Sequence, residues 1–367
     1  MKKYNIKNPF LTKIIRRDLI SKKGSVKNTY HIVLNITGSN IVYKTGDSVA
    51  ILPENCPVLV KKTIQALRSK EDNLIIDPRS KVKMSLKDFL TKKIDIRKIP
   101  LSLLHILSKE NPKLKPLLED VNSLTQCELW DIFKDFHYTT SLQSICNELI
   151  PLSYRFYSIA SSQKDNPNEI HIIVVEVTYF SNNDERKGVT SHFLCSRAKE
   201  NETQIPIYIH NSKYFTLPQD PNVPIIMIGP GTGIAPFRSF LHDRLAINAN
   251  GKNWLFFGEC NRSTDFYFED FITKLTKTKF LKLNTAFSRD QKEKIYVQHK
   301  ILENSKELWQ WIKEGSFIFI CGASSMAKEV EKALILVISK EDNISYSDAQ
   351  RYLSNLRKEK RYVKDVY

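Results

Sequence analysis

Apolar and polar residues alternate through "YHIVLNITGSNIVYKTGDSVAIL", residues 30–52, with turn signals at "TGSN" and "KTGD". Period-two alternation broken by such turns predicts three short antiparallel strands. From about residue 58 to 146 the spacing changes. "VLVKKTIQAL", "SLKDFLTKKI", "PLSLLHILS" and "CELWDIFKDF" carry apolar residues at helical intervals, separated by proline and polar breaks. Strand texture returns at "RFYSIAS", "EIHIIVVEVTYF" and "QIPIYIHN". This order predicts an antiparallel β-barrel interrupted by a helical insertion. From about Pro221 short apolar runs alternate with amphipathic segments: "VPIIMIG", "NWLFFG", "KLNTAFS" and "FIFICG" between "FRSFLHDRLAI", "FYFEDFITKLT", "LWQWIKEG" and "SMAKEVEKALILVIS". That alternation predicts a doubly wound parallel α/β domain, with helices on both faces. A last alternating run, "RYVKDVY", predicts a strand that brings Tyr367 to its end.

Composition excludes several classes. No stretch approaches the roughly 20 apolar residues of a membrane span, and charges scattered through "MKKYNIKNPFLTKIIRRDLI" make it a poor signal peptide. A cytoplasmic protein is expected. Its six cysteines, at 56, 127, 146, 195, 260 and 321, include no C-x-x-C pair, which argues against zinc, iron–sulfur and disulfide frameworks. The formal charge of +16 suits an acidic partner. The Lys and Arg are spread along the chain without a compact basic block among aromatics, so no nucleic-acid partner is expected.

Ligands of parallel sheets bind beyond the carboxyl ends of the strands. At the first such end, "IMIGPGTGIAPF" places Gly229, Gly231 and Gly233 between a strand and a helix. Glycines there let backbone N–H groups approach an anion, and the helix start adds partial positive charge. The spacing differs from G-x-G-x-x-G. At a later tip, "FSRDQKEKIYVQ" offers Ser288, Arg289 and Lys294 to a phosphate monoester and Tyr296 to an adenine face. Two charge-assisted contacts at about 1.5–3 kcal/mol each would favour NADP over NAD by about 3–6 kcal/mol. In the barrel, "RFYSIAS" places Arg155, Tyr157 and Ile159 on one face, and "GVTSHFL" starts a helix whose Thr190 and Ser191 make a second anion site or a simple N-cap.

Taken in order, "RFYSIASSQ", "IMIGPGTGIAPFRSF", "GKNWLFFG", "SRDQKEKIYVQ", "ELWQWI" and "RYVKDVY" resemble the ferredoxin–NADP reductase superfamily, in its diflavin-reductase branch. The likeness covers nearly the whole chain. It implies an FAD-binding barrel over 1–60 and 147–218, a helical connecting insertion over 61–146, and an NADP-binding domain over 219–367. It implies that Arg155 pairs with the FAD pyrophosphate, Tyr157 lies against the isoalloxazine, and Ser158 stands near flavin N5. Tyr179, Gly188, Val189, Thr190 and Ser191 would add FAD contacts. Gly231, Thr232 and Gly233 would approach the NADP pyrophosphate, and Ser288, Arg289, Lys294, Tyr296 and Gln298 the 2′-phosphate end. Cys321 would stand beside the nicotinamide with Ser158 and an acid on the following helix, here Glu329, as the catalytic set. Tyr367 would cover the flavin until the nicotinamide displaces it.

The expected activity is that of an FAD-dependent NADPH oxidoreductase passing electrons to a separate protein, whether flavodoxin, ferredoxin or a haemoprotein subunit. The alternative is a flavin- or nucleotide-binding subunit with little turnover. Two departures from the family fall near the reacting centre: Glu329 replaces its usual aspartate, and Ala323 replaces the acid that often follows C-G. The family also carries a flavodoxin-like FMN domain before the barrel, for which the roughly two dozen residues ahead of the first strands leave no room. Lys2, Lys3, Arg16, Arg17, Lys22 and Lys23 are candidate partner contacts.

Overall fold

The computed structural model describes residues 4–181 and 184–367, so Lys2 and Lys3 lie outside the described residues. The chain forms two compact units. One comprises the residues up to Ala50, Phe156–Val175 and Lys199–Tyr367; the other comprises Ile51–Arg155 and Glu176–Ala198.

The first unit contains the parallel sheet. Its five strands lie in the order Leu281–Phe287, Asn253–Glu259, Ile225–Ile228, Phe317–Gly322 and Tyr362–Val366, and every neighbouring pair is parallel. The central strands are apolar at every position because helices cover both faces. Period two then sorts the side chains. Ile226, Ile228, Trp254, Phe256, Ile318 and Ile320 join one apolar cluster with the helix Ser324–Glu341. Ile225, Met227, Leu255, Phe257, Phe319 and Cys321 join another with the helix Ala235–Ala246. Strand order reverses between Ile225–Ile228 and Phe317–Gly322, and the glycine turn Gly231–Ile234 leaves the sheet at that point.

The same unit carries two antiparallel groups, a three-stranded sheet (Ile14–Leu19, Thr29–Asn35, Glu169–Val175) and a four-stranded sheet that includes Ser48–Ile51 and Arg155–Ser158. Only two strands form within residues 30–52, where alternation predicts three. Ile41–Tyr43 runs without a strand partner because the Gln163 side chain takes over the ladder bonds, accepting from Tyr43 N–H at 2.9 Å and donating to Ile41 C=O at 2.8 Å. The expected single strand over 169–180 is also broken. Val177 N–H turns aside to donate to Ser191 Oγ at 3.1 Å, and a separate strand, Thr178–Ser181, follows.

In the second unit Pro57–Ala66, Leu86–Lys92, Leu101–Glu110, Leu129–Phe133 and Leu142–Glu148 are helices, as their spacing predicts, and they share one apolar core built on Ile64, Phe89, Leu103, Leu107 and Leu129. Sequence spacing does not reveal the hairpin of Leu74–Ile76 with Lys83–Ser85, which forms because Asp77 accepts Arg79 N–H and the Ser80 hydroxyl in the turn. Among the described residues no helix is long and apolar enough to cross a membrane.

Arg186 is 3% exposed and donates to Glu128 and, at 2.9 Å, to Asp131, around the Trp130 indole. A buried cation of this kind is held by its partners, and removing it strands two carboxylates. Arg186→Ala is expected to destabilise the helical unit by about 3–5 kcal/mol, read as a lowered urea midpoint in circular dichroism.

Candidate active site

Parallel pairing sets Cys321 level with Asp365 on neighbouring strands. Cys321 is 1% exposed, and burial pushes its thiol pKa well up, with the Ser158 hydroxyl countering part of the rise. Asp365 is half-buried. Its carboxylate accepts the Ser158 hydroxyl at 3.0 Å. Burial raises the Asp365 pKa, and the Ser158 bond and the nearby His210 oppose that rise. Ser158 reaches this place at the end of the strand Arg155–Ser158, so three separate strands converge on one serine–carboxylate–thiol cluster.

Asp365 is the residue that sequence reasoning missed. The acid was expected at Glu329, one turn into the helix that follows Cys321. Glu329 lies half exposed at the cavity wall and pairs with Lys332 at 2.7 Å, and the carboxylate that meets Ser158 comes from the last strand. The signal lay in "RYVKDVY": once that run is a strand parallel to "FIFICG", its aspartate falls opposite the cysteine. Ala323 also acquires a physical reading. It is the N-cap of Ser324–Glu341 with no side chain able to cap, and the Tyr367 carbonyl accepts Ser324 N–H at 3.1 Å in its place. Tyr367 is further fixed by its N–H to Gly322 C=O at 3.2 Å and its hydroxyl to Thr232 at 2.5 Å, while 67% of the residue stays exposed.

A cavity of about 660 Å³ opens at the switch point, lined by Gly231, Thr232, Ser288, Tyr296, Gln298, Glu329 and Tyr367. Gly231 adopts φ +60°, a conformation that favours glycine. A Cβ on Gly233 would come within 2.1 Å of the Cys321 carbonyl oxygen, so the turn lies flat against the strand end. The turn is thus a cradle that any side chain would fill, and it fits a pyrophosphate. Ser288 is fixed by its N–H to Glu259 C=O at 2.8 Å. Arg289 and Lys294 are exposed and, among the described residues, make no ion pair with an acidic side chain. Tyr296 is the N-cap of the helix Val297–Glu303, an element absent from the sequence expectations. Arg289, Lys294, Gly233 and Cys321 do not line the cavity.

In the helical unit, Gly188 is the N-cap of Val189–His192. A Cβ there would stand 2.4 Å from Ser191 Oγ and 3.0 Å from Val177 Cβ, so a larger residue would displace the serine hydroxyl. Thr190 and Ser191 are buried, and Ser191 Oγ is engaged by Val177 N–H. The groups left to meet an anion are the first-turn amides. Tyr179 is half-buried on the neighbouring hairpin, opposite Arg186 in register. Arg155 is exposed, with its guanidinium 3.4 Å from Ser153 Oγ, and Tyr157 is half-buried.

The FAD binding domain family matches residues 2–193, and the oxidoreductase NAD-binding domain family matches residues 227–332. The chain belongs to the FAD binding domain family, followed by an oxidoreductase NAD-binding domain, and its cofactors are FAD and a nicotinamide dinucleotide. Its curated relatives include the protein named sulfite reductase [NADPH] flavoprotein alpha-component in Bacillus subtilis (strain 168), 36% identical over 99% of this chain and 62% of the relative. The proteins of the same name in Mannheimia succiniciproducens and Vibrio parahaemolyticus are 38% and 36% identical, again over 99% of this chain, and are covered over 62% and 59% of their lengths. The chain spans about three fifths of the length of these relatives.

Burial separates the thiols. Cys56 and Cys127 are partly accessible, and Cys146, Cys195, Cys260 and Cys321 are buried. Native protein treated with iodoacetamide at neutral pH is expected to be modified at Cys56 and Cys127 first, with Cys321 modified only after unfolding. Peptide mass spectrometry reads the order, and early modification of Cys321 would contradict the geometry.

Proposed function

We propose that this chain is an NADPH-dependent flavoprotein reductase, related to the flavoprotein of sulfite reductase, that acts as the entry point for electrons passed on to a separate acceptor. The observation that carries this reading is the Ser158–Asp365 bond beside Cys321, at the switch point of the parallel sheet and next to the glycine cradle. When bound, FAD and NADPH supply the redox chemistry, a hydride leaving nicotinamide C4 for flavin N5. The chain's residues bind and orient them. Gly231, Thr232 and Gly233 hold the pyrophosphate of NADPH. Ser288, Arg289, Lys294, Tyr296 and Gln298 select the 2′-phosphate end by charge and by stacking. Arg155, Tyr157, Tyr179 and the Gly188–Ser191 segment serve FAD, and the antiparallel strands form its barrel.

Asp365 takes the acid's role in place of Glu329. As an ionised carboxylate it places negative charge where the nicotinamide ring becomes positive, and its bond fixes the Ser158 hydroxyl. Cys321 stays a neutral thiol that shapes the ring's seat, with no covalent step. This is catalysis by position and charge. Tyr367, exposed and tethered through its hydroxyl to Thr232, is placed to be displaced by the incoming ring. A cytoplasmic location goes with this reading. The basic chain suits an acidic acceptor, a flavodoxin, a ferredoxin or the haemoprotein of sulfite reductase.

Anaerobic NADPH is expected to bleach the yellow FAD-loaded protein, and a preparation that stays yellow would end the proposal. Asp365→Asn and Ser158→Ala are each expected to slow bleaching by about 10- to 1,000-fold. Because Asp365 acts ionised and its pKa is raised by burial, the wild-type rate should fall with falling pH through a pKa above the usual 3.9 of aspartate. That acid limb should vanish in Asp365→Asn, as stopped-flow absorbance would show. Stacking of an aromatic ring is worth about 0.5–1.5 kcal/mol, less than the 2′-phosphate contacts. Tyr367→Ala should therefore raise the NADH-to-NADPH activity ratio by about 2- to 10-fold, and an unchanged ratio would remove Tyr367 from cofactor choice.

A further inference from the structure

The nucleotide cavity contains a charge whose sign opposes the ligand. Glu259 ends the strand Asn253–Glu259 and lines the cavity with Gly231, Thr232 and Lys27. A Cβ built on Gly231 would lie 3.3 Å from Glu259 Oε1, so the carboxylate stands against the first glycine of the cradle. Three donors hold it there: Cys260 N–H to Oε2 at 2.6 Å, the Tyr267 hydroxyl to Oε1 at 3.3 Å, and the Lys27 ammonium to Oε1 at 2.7 Å. The Glu259 side chain is 4% exposed and the Lys27 side chain 40%. The carboxylate is therefore fixed, while the lysine has a solvated head on a flexible stem. A phosphate in the cradle and an ionised Glu259 repel each other strongly in such an enclosed place unless a cation stands between them.

We propose that Glu259 and Lys27 form an electrostatic gate on the pyrophosphate cradle. Lys27 turns from the carboxylate to the phosphate diester as the nucleotide enters, and the fixed charge of Glu259 holds affinity low enough for the spent nucleotide to leave. This rests on the nucleotide reading of the cavity. The gate acts on the pyrophosphate alone, because Ser288, Arg289 and Lys294 serve the 2′-phosphate from the tip of the next strand. Glu259 thereby sets affinity without contributing to the choice between NADP and NAD.

Isothermal titration of the full chain with NADP⁺ and with adenosine 2′-monophosphate, which lacks the pyrophosphate, tests the gate. Glu259→Gln keeps the shape of the side chain and removes its charge. It is expected to tighten NADP⁺ by about tenfold and leave adenosine 2′-monophosphate unchanged. Lys27→Met is expected to weaken NADP⁺ by about tenfold, and the double variant to return close to wild type. If Lys27→Met fails to fold, the Glu259→Gln comparison alone decides. Equal NADP⁺ affinity in wild type and Glu259→Gln, or an equal shift for both ligands, overturns the gate while the nucleotide reading stands. Binding of neither ligand by any form overturns that reading and the gate with it.

Discussion

The site depends on the parallel pairing of Phe317–Gly322 with Tyr362–Val366. Parallel strands hydrogen-bond in a fixed stagger, and here the stagger sets Asp365 beside Cys321 and Val366 beside Gly322. From that one register follow the carboxylate that meets Ser158, the Tyr367 carbonyl that caps the helix after Ala323, and the ring that reaches Thr232. A slip of one residue would turn the Asp365 side chain to the opposite face and break all of these contacts together. The buried side chain of Tyr362 makes such a slip costly, because it would exchange a core position for the more exposed face of its strand.

Much of this was legible from periodicity. The apolar runs of the parallel sheet, the helical spacing across the insertion and the final alternating segment each predict elements that the structure contains. Misreadings arose where a side chain substitutes for backbone. Gln163 satisfies Ile41 and Tyr43, and Ser191 takes Val177 out of a strand, and no local pattern carries either bond. The glycine turn and the segment from Ser288 to Gln298 were readable because they are contiguous. The Ser158–Asp365 pair was not, since its two residues are separated by 207 positions and meet only through sheet order. Glu329 was the better guess from sequence alone, lying a few residues beyond Cys321, and tertiary placement decided otherwise.

Glu259 and Ser288 both stand at tips of strands in the wall of the cavity, and both are fixed by neighbours. Ser288 and Glu259 are tied by main-chain bonds, whereas Arg289, Lys294 and Lys27 keep mobile heads on long stems. A fixed carboxylate and serine beside cations on long flexible stems leave the charge balance of the cavity to the cations.

The even and odd positions of the central strands have different freedoms. Ile226, Trp254 and Ile318 pack under the helices of one face, while Met227, Phe257 and Phe319 share their core with Cys321 and the helix that the turn launches. Repacking on the first face acts on stability and on the cavity wall at Ala286 and Val297. On the second it shifts the thiol and the cradle as well. Neutral drift in this domain should therefore accumulate on alternate residues of a single strand, so that the history of its catalytic constraint is written in every second side chain.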